Sequence, residues 1–157
     1  MIPSRARLLP LFVLVASLLG ACTPPVPGAG KVGQKLEYQG YAITIVAAEF
    51  AEDFPGARKA RDGYTLAALD VIVASDRAKD VTFRPRYAKL IDRDGDEHAA
   101  RASGRDPALD EFEDLPKGQT RRGWLTFEVA KSGRKFQFVY ALPPAMNSAD
   151  IKFDIER

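Results

Sequence analysis

The sequence has little of the residues on which disulfides, zinc sites and many active sites depend: it contains one cysteine and one histidine. A single cysteine excludes an intrachain disulfide, and a single histidine excludes a His-rich zinc site. No Gly-x-Ser-x-Gly motif accompanies His98, as a hydrolase of that type would require. We therefore predict that the protein is not an enzyme, has no cofactor and no catalytic residues, and depends on a packed core for stability.

An excess of one charge is also missing, since 23 Lys and Arg residues are balanced by 21 Asp and Glu residues. Arg5 and Arg7 are the only charged side chains before Cys22, so a chain that begins at Cys22 has 21 residues of each sign. The sequence pI of 8.7 is therefore misleading for that chain. Balanced charge does not support electrostatic attraction to nucleic acid, and we predict no nucleic-acid partner.

Long apolar runs are confined to the N-terminus. Leu8–Gly20 follows the two arginines and is shorter than the stretch of about 20 apolar residues that a membrane span needs. It leads into the small residues of Leu19-Gly20-Ala21-Cys22. A positive start, a short apolar region and small residues at a cleavage site are together typical of an export signal. We predict a signal segment at 1–21, either disordered or helical.

These four residues resemble a bacterial lipobox. The resemblance implies that a lipoprotein signal peptidase cuts before Cys22, and that Cys22 then carries a diacylglyceryl thioether and palmitate, which anchor the protein to a membrane. Thr23 follows in place of aspartate, which by resemblance to Gram-negative lipoproteins implies the outer membrane, facing the periplasm. The prolines and glycines of 22–31 predict a linker, extended by about 3.1 Å per residue where proline dominates. The folded domain is predicted at 32–157.

Beyond the linker, apolar residues recur with a period of two, which indicates strands. Tyr64–Val73 is apolar on both faces, as a central strand would be, and alternation places Ile43, Ile45 and Ala47 on one side of another strand. Pro107–Leu115 is the best candidate for a helix. Short strands separated by Gly-containing turns predict an all-β fold, an immunoglobulin-like antiparallel β-sandwich of seven to eight strands. The predicted strands are Lys35–Tyr38, Tyr41–Phe50, Tyr64–Val73, Val81–Phe83, Tyr87–Ile91, Gly123–Val129, Lys135–Ala141 and Asp150–Glu156.

Several short motifs follow one another along these strands. In order, they are Val32-Gly33, Asp70-Val71, Leu90-Ile91-Asp92, Asp94-Gly95, Leu115-Pro116-Lys117-Gly118 and Gly123-Trp124-Leu125-Thr126-Phe127-Glu128-Val129. This order resembles the bacterial domain of unknown function 4352, whose members are immunoglobulin-like sandwiches common on lipoproteins and other surface-anchored proteins. The family usually has asparagine where Ser75 stands, so we expect a different loop here. The resemblance implies no catalytic residues, because the family has no established catalytic set.

A cluster of acidic residues flanks one predicted turn. Asp92, Asp94 and Asp96 place carboxylates at alternate positions, and such oxygen atoms are the ligands that Ca²⁺ takes. The EF-hand spacing fails at Glu97, where that motif requires glycine, and the Asp-Gly pair at 94–95 also favours a simple hairpin turn. The three aspartates are therefore candidate ligands for calcium or a small molecule, and no metal is assigned to them.

Two aromatic residues are the candidates for contact with a partner. Trp124 lies on the polar side of its strand, where it either anchors a partner or packs in the core or under a loop. Phe112 lies in the acidic segment 106–114, which is either a partner-binding lid or a solvated cap on the sandwich. A basic loop at 58–61 either contacts anionic lipid headgroups or keeps the surface soluble.

These features predict a lipid-anchored, extracytoplasmic, non-catalytic interaction module. Its expected partners are the membrane, through the acyl chains on Cys22, and an envelope protein or envelope polymer. The first alternative is an envelope lipoprotein that binds calcium or a small ligand through Asp92, Asp94 and Asp96. The second alternative is a hydrolase built on carboxylates that the sequence cannot pair in space.

Overall fold

The computed structural model describes residues 25–56, 59–76, 81–101, 105–143 and 149–157. Within them the chain forms eleven strands and one 3₁₀ turn at Pro85–Tyr87. The strands are β1 (Gly30–Lys31), β2 (Lys35–Tyr38), β3 (Tyr41–Ala51), β4 (Tyr64–Ser75), β5 (Val81–Phe83), β6 (Ala88–Asp92), β7 (Glu97–Ala99), β8 (Phe112–Leu115), β9 (Thr120–Ala130), β10 (Lys135–Ala141) and β11 (Asp150–Glu156). The predicted signal segment and Cys22 lie outside the described residues. In the part of the chain that the structure describes, no helix has the length and apolar character needed to cross a membrane.

The strands pair into two sheets and a two-stranded ribbon. One sheet has the order β1-β11-β10-β6-β7, the other has the order β2-β3-β4-β9, and β5 pairs with β8. β1 runs parallel to β11, whereas the other neighbouring strands are antiparallel. The two sheets share one core, so the predicted all-β antiparallel sandwich is confirmed. All eight predicted strands are present, and the short strands β1, β7 and β8 are additional.

The core lies between the two sheets, because alternate residues of each strand point inward. Phe138 of β10, Phe153 of β11 and Phe127 of β9 are fully buried there. The Phe138 ring meets Phe127 edge-on with centroids 6.2 Å apart, and its centroid lies 6.3 Å from that of Phe153. Such aromatic contacts bury large apolar areas and stabilise the packing of one sheet on the other. β4 is buried along both faces, as its sequence predicts for a central strand.

A β-bulge in β3 changes which of its residues face the core. The register of β3 against β4 shifts between Ile45 and Ala47, and Ala48 packs against the core after the shift. The predicted alternation, which grouped Ala47 with Ile45, is therefore wrong at Ala47. The extra residue of a bulge reverses the phase of the strand, and Glu49 consequently lies on the outer face of the sheet.

The predicted helix at Pro107–Leu115 is also wrong. The amide of Trp124 donates to the carbonyl of Pro107 (2.9 Å), and the amide of Leu109 donates to the carbonyl of Trp124 (3.0 Å). The second half of the segment forms β8. The spacing of Leu109 and Phe112 fits a helix. An extended segment is formed instead, because its backbone can hydrogen-bond to β9 and at the same time cover the edge of that strand.

Ser75 ends β4 and joins it to the turn before β9. Its amide donates to the carbonyl of Gln119 (3.2 Å), and its carbonyl accepts from the amide of Gly118 (2.8 Å). Its Oγ atom is buried without a hydrogen-bond partner among the described residues. The backbone therefore holds this connection, and the desolvated hydroxyl lowers the stability of the folded state.

Replacing Ser75 by alanine is accordingly expected to raise the free energy of unfolding by about 1 kcal/mol, since it removes an uncompensated buried hydroxyl. Urea unfolding of the full chain measures the difference. Ser132→Ala, the same substitution at an exposed turn position, is the control and should change the free energy of unfolding by less than about 0.5 kcal/mol. A destabilised Ser75→Ala variant would show that the hydroxyl has a partner.

Candidate functional site

The outer face of the four-stranded sheet is covered by two segments of the chain. Phe54, which follows β3, is buried against Leu66 and Ala68 on the outer face of β4. The segment 105–109 lies along the edge of β9, whose outer face carries Trp124. A second, smaller apolar cluster therefore forms outside the main core.

Arg105 lies between two aromatic rings and a carboxylate, and we call these four residues the arginine clamp: Glu49, Phe54, Arg105 and Trp124. The Cζ atom of Arg105 is 3.8 Å from the centroid of the Trp124 ring and 5.1 Å from that of Phe54. Its guanidinium also forms an ion pair with Glu49. A cation within about 6 Å of an aromatic face is attracted to it, so both rings and the carboxylate help to hold this side chain, which remains 26% exposed.

A concavity of about 480 Å³ opens beside the clamp. Its lining consists of Glu49, Phe54, Pro55, Arg105 and Asp106. Two carboxylates and one guanidinium are among these lining residues, so the concavity carries a net negative charge. Apolar rings combined with a few fixed polar groups are the usual make-up of a binding surface.

The two aromatic candidates from the sequence lie in different surroundings. Trp124 is half-buried, beside the concavity and in contact with Arg105. Phe112 is half-buried in the β5–β8 ribbon, where its ring stacks on Phe83 with centroids 5.6 Å apart. The structure therefore groups Trp124 with Glu49, Phe54 and Arg105, which the sequence did not indicate, and not with Phe112. Contact of either aromatic residue with a partner stays a prediction.

Glu128, also on the outer face of β9, is a buried carboxylate that binds Arg61 in the loop before β4 and Arg101 after β7. It accepts hydrogen bonds from the Arg61 amide (2.8 Å), from Arg61 Nε (2.9 Å) and from Arg101 Nη2 (2.6 Å). Burial opposes its ionisation, but the Arg61 amide and the charges of Arg101 and Arg61 outweigh burial and lower the pKa of Glu128. Glu128 is therefore ionised at neutral pH.

Asp70 provides a second buried carboxylate on the same face, in the middle of β4. Arg122 of β9 binds it with two nitrogen atoms: Nε lies 3.0 Å from Oδ1 and Nη2 lies 2.5 Å from Oδ2. This bidentate geometry is the strongest form of the arginine–carboxylate pair. Asp70 lies opposite Trp124 in the β4–β9 register, so the pair helps to fix the strand that carries Trp124.

The acidic turn between β6 and β7 is organised around Asp92. Its carboxylate accepts from the amides of Asp94 and Asp96, each at 3.0 Å, and its Oδ2 lies 3.1 Å from Nε2 of His98. Burial opposes ionisation of Asp92, but the bonds to His98 and to the two amides outweigh it and lower the pKa of Asp92. No three Cys, His, Asp or Glu side chains in the described ranges are grouped so that they could hold a metal. Calcium binding by the three aspartates stays a prediction.

The predicted basic loop lies at one end of the sandwich. Residue 58 is outside the described residues, and Arg61 is engaged by Glu128. The amide of Lys131 donates to the carbonyl of Gly63 (2.9 Å), which places the loop beside the β9–β10 turn. β11 ends there too, since Glu156 pairs with the first residue of β10. Because β1 runs parallel to β11, β1 is directed toward this end, and its first residue faces the other end.

Comparison with known families gives one match that spans most of the chain. Residues 30–151 match the family model described as a domain of unknown function, DUF4352. The matched range includes all four residues of the arginine clamp, as well as Asp70 and Glu128. A search of proteins with curated descriptions returns no match.

Several solved structures share the fold at low sequence identity. A candidate lipoprotein from Bacillus subtilis, ycdA, is 12% identical with a TM-score of 0.64, over 78% of this chain and 38% of that chain. The yjhA protein from Bacillus subtilis is 14% identical with a TM-score of 0.65, over 81% of this chain and 99% of that chain. The secreted protein MPT63 from Mycobacterium tuberculosis is 13% identical with a TM-score of 0.62, over 83% and 98%. The chain spans well under half of ycdA, and at these identities the three structures support the fold alone.

Proposed function

The chain belongs to the DUF4352 family of domains of unknown function, and we propose that it is a non-catalytic interaction module of the cell envelope, anchored by lipid on Cys22. The observation that carries the proposal is the acidic concavity beside the half-buried Trp124, next to the arginine clamp. Aromatic and arginine side chains are the residues that most often dominate protein–protein contacts, and Trp124 and Arg105 are both partly exposed here. The proposed partner is another envelope protein.

The extracytoplasmic location is supported by the export signal and the lipobox at Leu19–Cys22. Among proteins of the same fold, ycdA is described as a candidate lipoprotein and MPT63 as a secreted protein. The identity of the residue after the cysteine, Thr23, supports the outer membrane and the periplasmic side as the final location. The Pro- and Gly-rich linker then separates the domain from the bilayer.

The geometry of β1 supports a particular orientation on the membrane. β1 forms the end of the predicted linker 22–31, and it runs toward the end of the sandwich that carries loop 59–63. The end at which β1 begins is therefore the end that we place nearest the bilayer. The loop that contains Arg61, and the Phe54 segment before it, then face away from the membrane, where an envelope protein can approach.

The surroundings of His98 support a non-catalytic role. Its Nε2 atom is directed at Asp92, and the same carboxylate accepts two turn amides. A catalytic histidine needs one nitrogen held by an acid and the other directed at a nucleophile. Asp92 meets the first of these two needs, but because it also accepts the two turn amides, its pairing with His98 closes the base of a hairpin turn.

Photo-crosslinking in intact cells tests the proposal. A photoreactive amino acid at Pro55, on the rim of the concavity, is expected to capture a defined envelope protein. The same amino acid at Lys117, an exposed turn residue, is the matched control and should not capture that protein. Cys22→Ser should move the protein out of the membrane fraction and abolish the Pro55 crosslink. Identical products from both positions, or no product above that of an unrelated lipoprotein, would contradict the proposal.

A further inference from the structure

The arginine clamp has the composition of a site that recognises a guanidinium group. Two aromatic faces, Phe54 and Trp124, attract a flat cation, and the carboxylate of Glu49 supplies the acceptor that guanidinium groups bind most strongly. Arg105 shows that these three groups accommodate a guanidinium, since its Cζ atom lies 3.8 Å and 5.1 Å from the two ring centroids. We call Glu49, Phe54 and Trp124 the cage.

The cage is held by parts of the fold that do not depend on Arg105. Glu49 belongs to β3 and pairs with Ala68 of β4, and Trp124 belongs to β9 and pairs with Asp70 of β4. Phe54 is buried on the same sheet face. A site on paired strands keeps its geometry better than one built on loops. Arg105 comes from a different segment, so it occupies the cage without building it.

The concavity beside the cage has both the space and the charge for a second cation. Its volume is about 480 Å³, and Asp106 adds a carboxylate to that of Glu49. Glu49 is itself 47% exposed, so a group that enters from solvent can reach it. With Arg105 in place the concavity has a net negative charge, and displacement of Arg105 would remove the only cation among its described lining residues and free the carboxylate of Glu49 from this ion pair.

We propose that the cage binds an arginine side chain of a partner protein, and that Arg105 occupies it as an intramolecular substitute when the partner is absent. The inference rests on the proposed function and specifies the chemistry of its partner. Arginine fits better than lysine because the planar guanidinium stacks on an aromatic ring while its fork binds a carboxylate. An intramolecular occupant acts at an effective concentration in the millimolar range, so a partner that also contacts the rest of the concavity displaces it at a lower concentration than a free arginine does.

Fluorescence offers a direct test, because Trp124 is the single tryptophan of the chain. The full chain in detergent, as native protein and as Arg105→Ala, is titrated with N-acetyl-arginine amide. We expect a saturable change in Trp124 emission, at a ligand concentration at least about ten-fold lower for Arg105→Ala than for the native protein. The control is Arg121→Ala, which removes an exposed arginine from the strand that carries Trp124. It should respond to the ligand as the native protein does. If Arg105→Ala does not fold, Arg105→Gln replaces it.

Three further titrations define what would overturn the inference. N-acetyl-citrulline amide has nearly the same shape without the charge, and an equal response to it would show simple filling of space. An equal or stronger response to choline would indicate a lipid headgroup in place of a protein arginine. In the double variant Glu49→Gln/Arg105→Ala the response to arginine should weaken at least about ten-fold, because a charge-assisted bond is lost. Absence of any response in Arg105→Ala rejects the cage while leaving the Pro55 crosslink, and with it the proposed function, intact.

Discussion

Replacing Glu128 by alanine is expected to lower the free energy of unfolding by about 3 kcal/mol, the low end of the range for breaking a buried ion pair. The side chain of Glu128 is 2% exposed and accepts from one amide and two guanidinium groups. Alanine removes these charge-assisted bonds and leaves a cavity at the outer face of the sheet. The side chains of Arg61 and Arg101 are 63% and 43% exposed. Water can therefore solvate both guanidinium groups in the variant, and for this reason we expect a loss of stability at the low end of that range.

Glu113→Ala is the matched control for this variant. Glu113 also lies on a strand and also pairs with an arginine, Arg84, at 2.7 Å, but its side chain is 60% exposed. An exposed pair of this kind contributes at most about 1 kcal/mol. Urea unfolding of both variants measures the contrast, and equal losses would show that the burial of Glu128 does not matter for stability.

The same carboxylate predicts how stability responds to acid. Burial opposes the ionisation of Glu128, but the Arg61 amide and the two guanidinium charges hold its pKa below the ordinary value of 4.5. A group whose pKa is lower in the folded state stabilises that state fully above the unfolded value, and loses this effect as pH falls through the lowered pKa. Glu128→Gln should therefore lose stability at neutral pH and show a shallower decline below pH 4.5 than the native protein. A decline of unchanged steepness would mean that other carboxylates account for it.

Glu128 also shows what the sequence can predict about this fold and what it cannot. Alternation in β9 correctly predicts that Leu125, Phe127 and Val129 face the core. The same alternation shows only that Glu128 lies on the opposite face of β9, where a charged residue would be expected to be exposed to solvent. Its burial depends on Arg61 and Arg101, which lie 67 and 27 residues away along the chain. No local pattern encodes contacts at that distance.

One signal for the covered face is nevertheless present in the sequence. Asp70 lies within a strand that is apolar on both faces, and an acid in such a position is rarely buried without a cation. No partner for Asp70 was predicted from the sequence above, but its position is a signal for a basic partner on a neighbouring strand, and Arg122 of β9 is that partner. The bulge before Ala47 has no such signal, because the extra residue only becomes apparent when β3 is paired with β4.

The arginine clamp could not be predicted from the sequence because its members come from three separate parts of the chain. Trp124 was a candidate by alternation, but Glu49 faces outward only because of the bulge. Arg105 reaches the clamp because the next residues bind the edge of β9 instead of forming a helix. Each of these steps depends on tertiary pairing, which overrides local propensity.

Gly123 of β9 lies where the segment that positions Arg105 pairs with the edge of this strand. A Cβ atom at Gly123 would lie 2.5 Å from the amide nitrogen of Leu109 and 2.6 Å from the carbonyl carbon of Ala108. These are backbone atoms, so no side chain can rotate away. Gly123→Ala should therefore push the segment 107–109 off β9 and break the bonds of the Trp124 amide and carbonyl. We expect the free energy of unfolding to fall by about 2 kcal/mol, as for overpacking of a well-packed contact.

The destabilisation expected for Gly123→Ala is opposite in sign to the usual effect of replacing glycine by alanine in a strand. Alanine is normally favoured over glycine in a strand by about 0.5–1 kcal/mol. Gly28→Ala is the control, since a Cβ atom there meets nothing within 4 Å, and it should change the free energy of unfolding by less than about 0.5 kcal/mol. Because the segment 105–109 also carries Arg105 to Trp124, Gly123→Ala should in addition make Trp124 more accessible to a neutral quencher such as acrylamide. A Gly123→Ala variant as stable and as poorly quenched as Gly28→Ala would show that the segment does not pack on β9, and that the clamp is held by some other contact.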